Sequence, residues 1–366
     1  MDWPFLMLFF FGGLSALLLL GLPVAFAFLF VNVIGVYVFW GGAIGLQQLI
    51  LSIDSSISTF VLVPVPMFIL MGTVIFHSGI AYRMIDVLDE WLGKIAGRLA
   101  LLSIGAGSLF ATLTGVAMGS VAMLGSTLVP DMERRGYSKS MSIGPILASG
   151  SLAIMIPPSA LGVILASMGQ FSVGKLLIGI LLPGLLLAVV YATYVVIRCH
   201  IQPHLAPAYE VASTAIRPRI MRTLQYVLPL VIIIGVVIGT IFAGVATPTE
   251  AAALGALFCF LLVACYGKLT WQVIKKSVAA ATTISVMVFV ILTGSAAFSQ
   301  ILAFTGITIG ITELALSWSE HPILILIAMQ LILLLLGMLI EQTSIVMITT
   351  PIYFPIVSAF GWDPVW

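Results

Sequence analysis

The chain has 366 residues, of which 61% are hydrophobic and 7% are charged, and its formal net charge at pH 7 is +1. A soluble domain carries about 25% charged residues, so this composition excludes a water-exposed globular surface and indicates an integral membrane protein. The small net charge also argues against a nucleic-acid partner.

The apolar segments have the length of membrane-spanning helices, and none shows the short alternating pattern of an outer-membrane barrel. In chain order they cover residues 4–21, 23–40, 59–79, 99–130, 141–168, 176–198, 225–246, 249–266, 277–303 and 321–357. We therefore expect an all-α polytopic membrane protein that crosses the bilayer several times.

Two of these segments are too long for one crossing and too short for two crossings joined by a loop. Segment 99–130 carries small polar residues in its middle, and segment 321–357 is interrupted by polar residues around Glu341. We predict that each segment is a re-entrant helical hairpin, made of two half-helices that meet at the bilayer midplane.

Basic residues flank the first of these hairpins on both sides, at Arg98 and at Arg134. Positively charged loops stay cytoplasmic, so a hairpin that enters and leaves on the cytoplasmic side explains both positions. This topology leaves Lys175 as the exception among the 14 basic residues and places the N-terminus outside. Residues 82–98 are amphipathic and predict a connecting arm along the cytoplasmic interface.

An internal repeat is indicated by a constant offset of 225 residues between similar features. Pro23 matches Pro248, each opening a helix, and Pro130 matches Pro355. An odd number of predicted crossings separates equivalent positions, so the second copy is expected to be inverted. Inverted repeats with broken helices are typical of secondary transporters that work by alternating access.

The repeat predicts the division of the chain into three parts. The first repeat covers 1–175 and contains scaffold helices, the interfacial arm 82–98, hairpin 99–130 and a broken helix at 141–168. A connecting helix and a cytoplasmic linker cover 176–224. The second, inverted repeat covers 225–366 and contains hairpin 321–357. Adding the offset to Pro157 gives a position beyond Trp366, so we expect the second repeat to be incomplete at its C-terminal end.

Two successive prolines, Pro157 and Pro158, interrupt the helix predicted at 141–168 and are followed by Ser159. Proline lacks an N–H, so the break leaves carbonyl oxygens without helical partners. At membrane depth such groups must face protein or a water-filled cavity. The carbonyls and the Ser159 hydroxyl fit an oxygen cage for a dehydrated cation; the alternative is a kink that serves packing alone.

The hairpin tips supply the other candidate residues. A cation or substrate site is predicted from the two prolines and Ser159 together with Thr114, Gly115, Gly119, Ser120, Gly337, Glu341, Thr343 and Ser344. An ionisable side chain inside a membrane segment is costly and therefore a functional candidate. Small residues also serve helix packing, and Glu341 alternatively has a structural partner or lies near the outer surface. Glu250 follows Thr247 with the spacing of a capping box, which we favour over a functional role.

The sequence contains no motif that indicates an enzyme. No serine or histidine lies in a nucleophile elbow, and no glycine loop with lysine is present to hold a nucleotide phosphate. We expect no catalytic residue, no cofactor and no ATP hydrolysis. An intramembrane enzyme would need paired catalytic groups at one depth, and the sequence offers no convincing pair. Another alternative function is that of a non-transporting scaffold.

At this point the residues resemble the large membrane subunit of tripartite ATP-independent periplasmic (TRAP) transporters. The resemblance covers essentially the whole chain. It rests on the segments Gly21 to Ala25, Pro130 to Tyr137, Ile154 to Ser159, Thr247 to Ala253, Gly337-Met338, Thr350-Pro351 and Gly361 to Pro364. Family members usually continue beyond Trp366 through a second broken helix, and they often have aspartate at the position of Glu341.

The resemblance implies an elevator-type, sodium-coupled symporter in the bacterial inner membrane. It would import a small organic acid, a carboxylate, delivered by a periplasmic solute-binding protein, and would work with a small membrane subunit. Sodium ions would bind main-chain and hydroxyl oxygens where the hairpin tips meet the broken helices. The alternative within transport is a binding-protein-independent carboxylate or cation symporter, or an ion antiporter.

Overall fold

The computed structural model describes residues 3–93, 95–114, 117–208, 215–317, 322–338 and 340–366. For residues 111, 113, 114, 118 and 119 it describes the backbone alone. Within these ranges the regular structure is helical and contains no strand. The prediction of an all-α protein is confirmed.

Most helices follow one another with connections of a few residues, and a longer connection, 202–215, joins Leu181–Ile201 to Ile216–Tyr226. In chain order they are α1 (Trp3–Met7), α2 (Gly13–Leu19), α3 (Val24–Phe39), α4 (Ala43–Ile57), α5 (Pro64–His77), α6 (Ile80–Trp91), α7 (Arg98–Thr114), α8 (Ala117–Arg134), α9 (Lys139–Met155), α10 (Ala160–Met168), α11 (Val173–Gly179), α12 (Leu181–Ile201), α13 (Ile216–Tyr226), α14 (Leu228–Phe242), α15 (Pro248–Cys265), α16 (Trp271–Phe304), α17 (Ile307–Ser317), α18 (Pro322–Gly337) and α19 (Gln342–Ala359). A π-helical turn, Leu8–Gly12, joins α1 to α2.

Several of these elements are long and apolar enough to cross a membrane. In the described part of the chain there are five, or six when the bent pair α9–α10 is counted as one span. The five are Phe60–His77, Val173–Ile201, Ile216–Phe242, Pro248–Cys265 and Trp271–Phe304. The prediction of a multi-pass membrane protein is therefore confirmed.

The segment predicted as the first hairpin is two helices, α7 and α8, that pack against each other and against α9. Glycine at position 107 permits this packing: a methyl group there would lie 2.2 Å from the Ser149 hydroxyl oxygen on α9 and 3.1 Å from Leu124 on α8. Gly107 and Leu124 each lie seven residues from the facing helix ends, Thr114 and Ala117, as an antiparallel pair requires.

The segment predicted as a broken helix is also interrupted where expected. Helix α9 ends at Met155, α10 begins at Ala160, and the two axes differ by 48°. The intervening prolines cannot donate the N–H that a continuing helix needs, which accounts for the break. The peptide bond between Pro157 and Pro158 is cis.

The chain divides into two compact units. The first comprises Met1–Phe60, Leu165–Phe171 and Ile284–Trp366. Its core contains an edge-to-face aromatic group in which Phe298 contacts Phe10 and Phe28. Nearby, the buried Asn32 amide donates to the Gly294 carbonyl at 2.6 Å.

The second unit comprises Val61–Ile164 and Ser172–Thr283. Here α5 and α16 exchange hydrogen bonds: each hydroxyl of Thr73 and Ser277 donates to the other residue's carbonyl at 3.2 Å. Both side chains are buried, so each hydroxyl is satisfied without water.

The helix ends recur at the offset found in the sequence. Adding 225 to the bounds of α8, Ala117–Arg134, gives Gln342–Ala359, the bounds of α19. The left-handed glycines Gly42 and Gly136 correspond in the same way to the left-handed Gly267 and Gly361. The three-part division of the chain itself stays a prediction.

Some elements differ from expectation. The arm predicted over 82–98 is the shorter helix α6, which ends at Trp91 before Gly93, a residue with a φ of 58°. Helices α4 and α17 were missed, because polar residues such as Asp54 and Glu313 lower their hydropathy. Helix α12 starts at Leu181, several residues later than predicted, since the short helix α11 precedes it.

Candidate functional site

The first hairpin tip lies between the C-terminal end of α7 and the N-terminal end of α8. Of the residues predicted here, Gly115 lies outside the described residues, as does the side chain of Thr114, and for Gly119 the structure describes the backbone. Ser120 is buried on the first turn of α8, and its hydroxyl donates to the Ala117 carbonyl at 2.9 Å. That bond uses the hydroxyl proton and leaves oxygen lone pairs free to accept or to bind a cation.

This end of α8 lies directly against α9. A methyl group added at Gly150 would come within 2.3 Å of Val121 and 3.6 Å of the Ala117 carbonyl oxygen. Gly150 precedes the helix break by about one and a half turns. The structure thus brings the first turn of the hairpin's second helix beside the half-helix that leads to Pro157.

The break itself contains one buried hydroxyl, that of Ser159. Its oxygen accepts the Gly162 N–H at 3.1 Å, and its carbonyl accepts the Val163 N–H at 3.2 Å. Ser159 therefore caps α10, a role that the sequence analysis did not identify although serine at a helix start is its usual signal. Whether it also binds a cation stays a prediction.

The two prolines of the break are packed on one side by apolar residues. Their neighbours around a small recess of about 10 Å³ are Leu177 and Ile178 on α11 and Val237, Ile238 and Ile241 on α14. The carbonyls of Ala153 and Ile154, four residues before each proline, receive no helical N–H from them. The break thus combines an apolar support with backbone oxygens available for other partners.

The second hairpin tip gathers a carboxylate and two hydroxyls. Glu341 caps α19: its Oε1 accepts the Thr343 backbone N–H at 3.2 Å and the Thr343 hydroxyl at 2.5 Å. Its Oε2 accepts the hydroxyl of the buried Ser344 at 3.2 Å. Gly337, predicted with this group, is exposed at the end of α18.

The carboxylate of Glu341, together with the hydroxyls of Thr343 and Ser344, can accept a further partner. Two carboxylate oxygens offer about four acceptor positions, and the three observed donors leave one of these open. Glu341 and Thr343 are half-buried and Ser344 is buried, so the group is partly withdrawn from solvent. The structure brings these three predicted residues together in one unit, whereas Ser120 and Ser159 belong to the other.

Glu250 is a structural residue. Its carboxylate accepts the Thr247 N–H at 2.8 Å, and its own N–H donates to the Thr247 hydroxyl at 3.3 Å. These reciprocal bonds form a capping box at the start of α15. The sequence-based interpretation of Glu250 as a cap is confirmed.

A polar junction between α6 and α13 was missed by the sequence analysis. Glu90 pairs with Arg222 at 2.5 Å, and the Trp91 indole N–H donates to the Thr223 hydroxyl at 2.7 Å. Next to it, the Arg98 guanidinium, 2% exposed, pairs with Asp89 at 2.7 Å. Partial burial, and then the charges of Asp89 and Glu90, raise the pKa of Asp86.

Known proteins are similar to this chain in sequence. Residues 11–366 match the family described as the tripartite ATP-independent periplasmic transporter, DctM component. The C4-dicarboxylate TRAP transporter large permease protein DctM of Rhodobacter capsulatus is 33% identical over 97% of this chain and 82% of its own length. The ectoine TRAP transporter large permease protein TeaC of Halomonas elongata is 31% identical over 95% of this chain and 81% of its own.

A solved structure shares the fold. The YdaH transporter of Alcanivorax borkumensis, described as having an unusual topology, superposes with a TM-score of 0.62 over 89% of this chain and 75% of its own, at 14% sequence identity. The relatives DctM and TeaC of this chain are permease subunits and not enzymes. Because residues 11–366 match the family model, the chain belongs to the DctM component family of tripartite ATP-independent periplasmic transporters and is a large permease subunit.

Proposed function

We propose that this chain is the permease of a sodium-coupled importer of a small organic acid in the bacterial inner membrane. A periplasmic solute-binding protein delivers the acid, and a small membrane subunit accompanies the chain. Family membership over residues 11–366 supports a TRAP assembly of this kind. The relatives from Rhodobacter capsulatus and Halomonas elongata are named for C4-dicarboxylates and for ectoine, which are both carboxylic acids.

The observation that carries the sodium proposal is the oxygen group at the second hairpin tip. A hard cation binds carboxylate, hydroxyl and carbonyl oxygens, and Glu341 holds two hydroxyls on its carboxylate. The hydroxyl oxygens of Thr343 and Ser344 still have lone pairs to offer, because each donates its proton to Glu341. A sodium ion at this tip would gain a full negative charge as well as neutral oxygens.

A second sodium position is proposed at the helix break, from Ser120, Ser159 and the backbone around Pro157 and Pro158. In transporters with broken helices, half-helix C-terminal ends and unwound carbonyls hold the cation, while half-helix N-termini face anionic substrate groups. Helix α9 ends at the break and α8 and α10 begin beside it, so both kinds of helix end are present here. Substrate carboxylate recognition is assigned to those N-terminal ends.

Movement is proposed to follow an elevator-type alternating access, with the repeats 1–175 and 225–366 supplying the two hairpins and 176–224 connecting them. The recurrence of the bounds of α8 in α19 at the offset of 225 supports the repeat. Inverted repeats around a broken-helix site are the usual construction of such transporters.

The experiment is uptake into proteoliposomes that contain this chain, the small subunit and the cognate binding protein, screened over labelled carboxylates. An inward sodium gradient should drive accumulation, and an equal potassium gradient should not. Equal uptake with and without the sodium gradient contradicts coupling. Accumulation by this chain alone, without the binding protein, would instead support a self-sufficient symporter.

A further inference from the structure

A cavity lies between α7, α9 and α12. It has a volume of about 460 Å³, within the range of roughly 300–1,000 Å³ typical of small-molecule sites. Its lining comprises Ile104 from α7, Ser140, Met141, Gly144, Pro145 and Ala148 from α9, and Val190, Tyr191, Tyr194, Val195 and Arg198 from α12. All of these residues belong to one compact unit.

The two long walls of the cavity run in opposite directions. Gly184 near the start of α12 lies against the Met155 carbonyl at the end of α9. The hydroxyls of Ser151 and Tyr191 are 3.2 Å apart. Arg198, in the last turn of α12, therefore lies at the same end of the cavity as the first turn of α9. One end is polar and cationic, and the interior is apolar.

The charge at the polar end is not compensated by an acidic lining residue. Arg198 is exposed and forms no ion pair with any residue in the described ranges, and the lining contains no aspartate or glutamate. Lys139, adjacent to Ser140 at the start of α9, adds a second exposed cation. The sequence places both cations at the cytoplasmic surface, where anionic lipid headgroups lie.

The interior has room for a hydrocarbon chain. A Cβ atom added at the exposed Gly144 would meet no atom within 4 Å, so this position opens onto free space. Pro145 and Val195 provide apolar walls beside it. From this juxtaposition we propose that the cavity binds an anionic phospholipid, with its phosphate at Arg198 and one acyl chain along Gly144 between α9 and α12.

Such a lipid would contact α9, the half-helix that ends at the Pro157 break, without touching the residues proposed for sodium. A basic pocket between membrane helices on the cytoplasmic side is a recognised form of lipid headgroup site. The binding is independent of the proposed transport activity, and it persists or fails whether or not sodium coupling is found.

The test is a lipid titration of the purified full chain by native mass spectrometry, with phosphatidylglycerol and phosphatidylcholine as probes. The wild type should bind phosphatidylglycerol about tenfold more tightly, a difference of ~1.4 kcal/mol. Arg198→Gln should abolish that preference by weakening phosphatidylglycerol alone. Gly144→Leu should weaken both lipids about tenfold by filling the cavity.

Two matched controls isolate the site. Arg217→Gln removes another exposed cation, one that does not line the cavity. Gly235→Leu adds a side chain at an exposed glycine of α14, where an added Cβ also meets no atom within 4 Å. Neither should change lipid binding. Equal affinity of the wild type for the two lipids, or an equal effect of Arg217→Gln, overturns the proposal. Loss of small-subunit binding in Gly144→Leu with unchanged lipid binding would assign the cavity to that subunit and also overturn it.

Discussion

The second helices of the hairpins α7–α8 and α18–α19 have matching bounds, yet the surroundings of the two hairpins differ. The first is covered by α9 and buries large side chains along α7, including Leu102, Ile104 and Phe110. In the second, α18 buries Ile325 and Met329, while leucines nearer the tip, such as Leu334 and Leu335, are exposed. The repeat therefore preserves helix length more closely than it preserves packing.

The chemistry of the two tips differs as well. The described side chains of the first tip and its helix break offer neutral oxygens, those of Ser120 and Ser159. The second offers the carboxylate of Glu341. A cation proposed at the first position would rely on hydroxyl and backbone dipoles, whereas one at the second would meet an opposite charge. The two sites should therefore respond differently to loss of one side chain.

The largest expected effect is that of Glu341→Gln, which removes the charge and keeps an oxygen to cap α19. Bonds to a charged group are worth about 1.5–3 kcal/mol, so apparent sodium affinity in the uptake assay should fall about 100-fold. Glu250→Gln is the matched control, because a capping box works with glutamine as well as glutamate. Equal losses in the two variants would remove Glu341 from the proposed site.

The packing difference is tested by glycine substitutions. Gly107→Ala brings a methyl group within 2.2 Å of the Ser149 hydroxyl oxygen and should destabilise the first hairpin by about 1–3 kcal/mol. Gly125→Ala, with no atom within 4 Å, and Gly337→Ala, whose nearest neighbour is Ile345 at 4.0 Å, should be neutral or slightly stabilising. Thermal unfolding in detergent measures all three. A destabilised Gly337→Ala with an unaffected Gly107→Ala would reverse the comparison.

A smaller effect is expected at the helix break. Ser159→Ala deletes the cap of α10 and should cost about 1 kcal/mol, with a decrease in sodium-dependent uptake of about tenfold if the hydroxyl also binds sodium. Ser103→Ala is the control, since that serine is equally buried but its hydroxyl bonds within α7 to the Ala100 carbonyl. If both variants unfold and transport alike, Ser159 has no special role.

The smallest expected effect is a change in stability at the helices that precede the two hairpins. Helix α6, before the first hairpin, is charged, whereas α17, before the second, is nearly uncharged. The raised pKa of Asp86 means that the folded state binds its proton more tightly, so stability decreases as pH rises through that pKa. Asp86→Asn should increase the free energy of unfolding at pH 7 by roughly a few tenths of a kcal/mol, measured as a small rise in melting temperature, and the gain should shrink at acidic pH.

The opposite sign is expected for Asp89→Asn, because the Asp89 carboxylate pairs with the buried Arg98. Melting curves of both variants at pH 7 and at pH 4.5 distinguish the two roles. A lower melting temperature of Asp86→Asn at pH 7 would contradict the proposed repulsion of Asp86 by Asp89 and Glu90.

The sequence predicted those features that follow from local chemistry. Pro157 and Pro158 predicted the break because they withhold N–H donors, and Thr247 with Glu250 predicted a capping box by spacing alone. Both are confirmed. The polar interruptions in the over-long segments likewise predicted where helices end.

Features that depend on side-chain direction could not be predicted. Glu341 caps the helix that follows it because of the backbone path at the tip. Arg98 is buried because Asp89 lies beside it and pairs with it. The cavity at Gly144 arises from the separation of α9 and α12, which no local pattern encodes.

The first hairpin is proposed to enter and leave the membrane on the same side, so that its tip reaches membrane depth. Ile95→Cys and Arg134→Cys place a thiol at an exposed position on either flank, on a background with the exposed Cys265 replaced by serine. An impermeant maleimide should label both thiols in inside-out vesicles and neither in right-side-out vesicles. Labelling of the two from opposite faces would make the segment a plain membrane span and contradict the account.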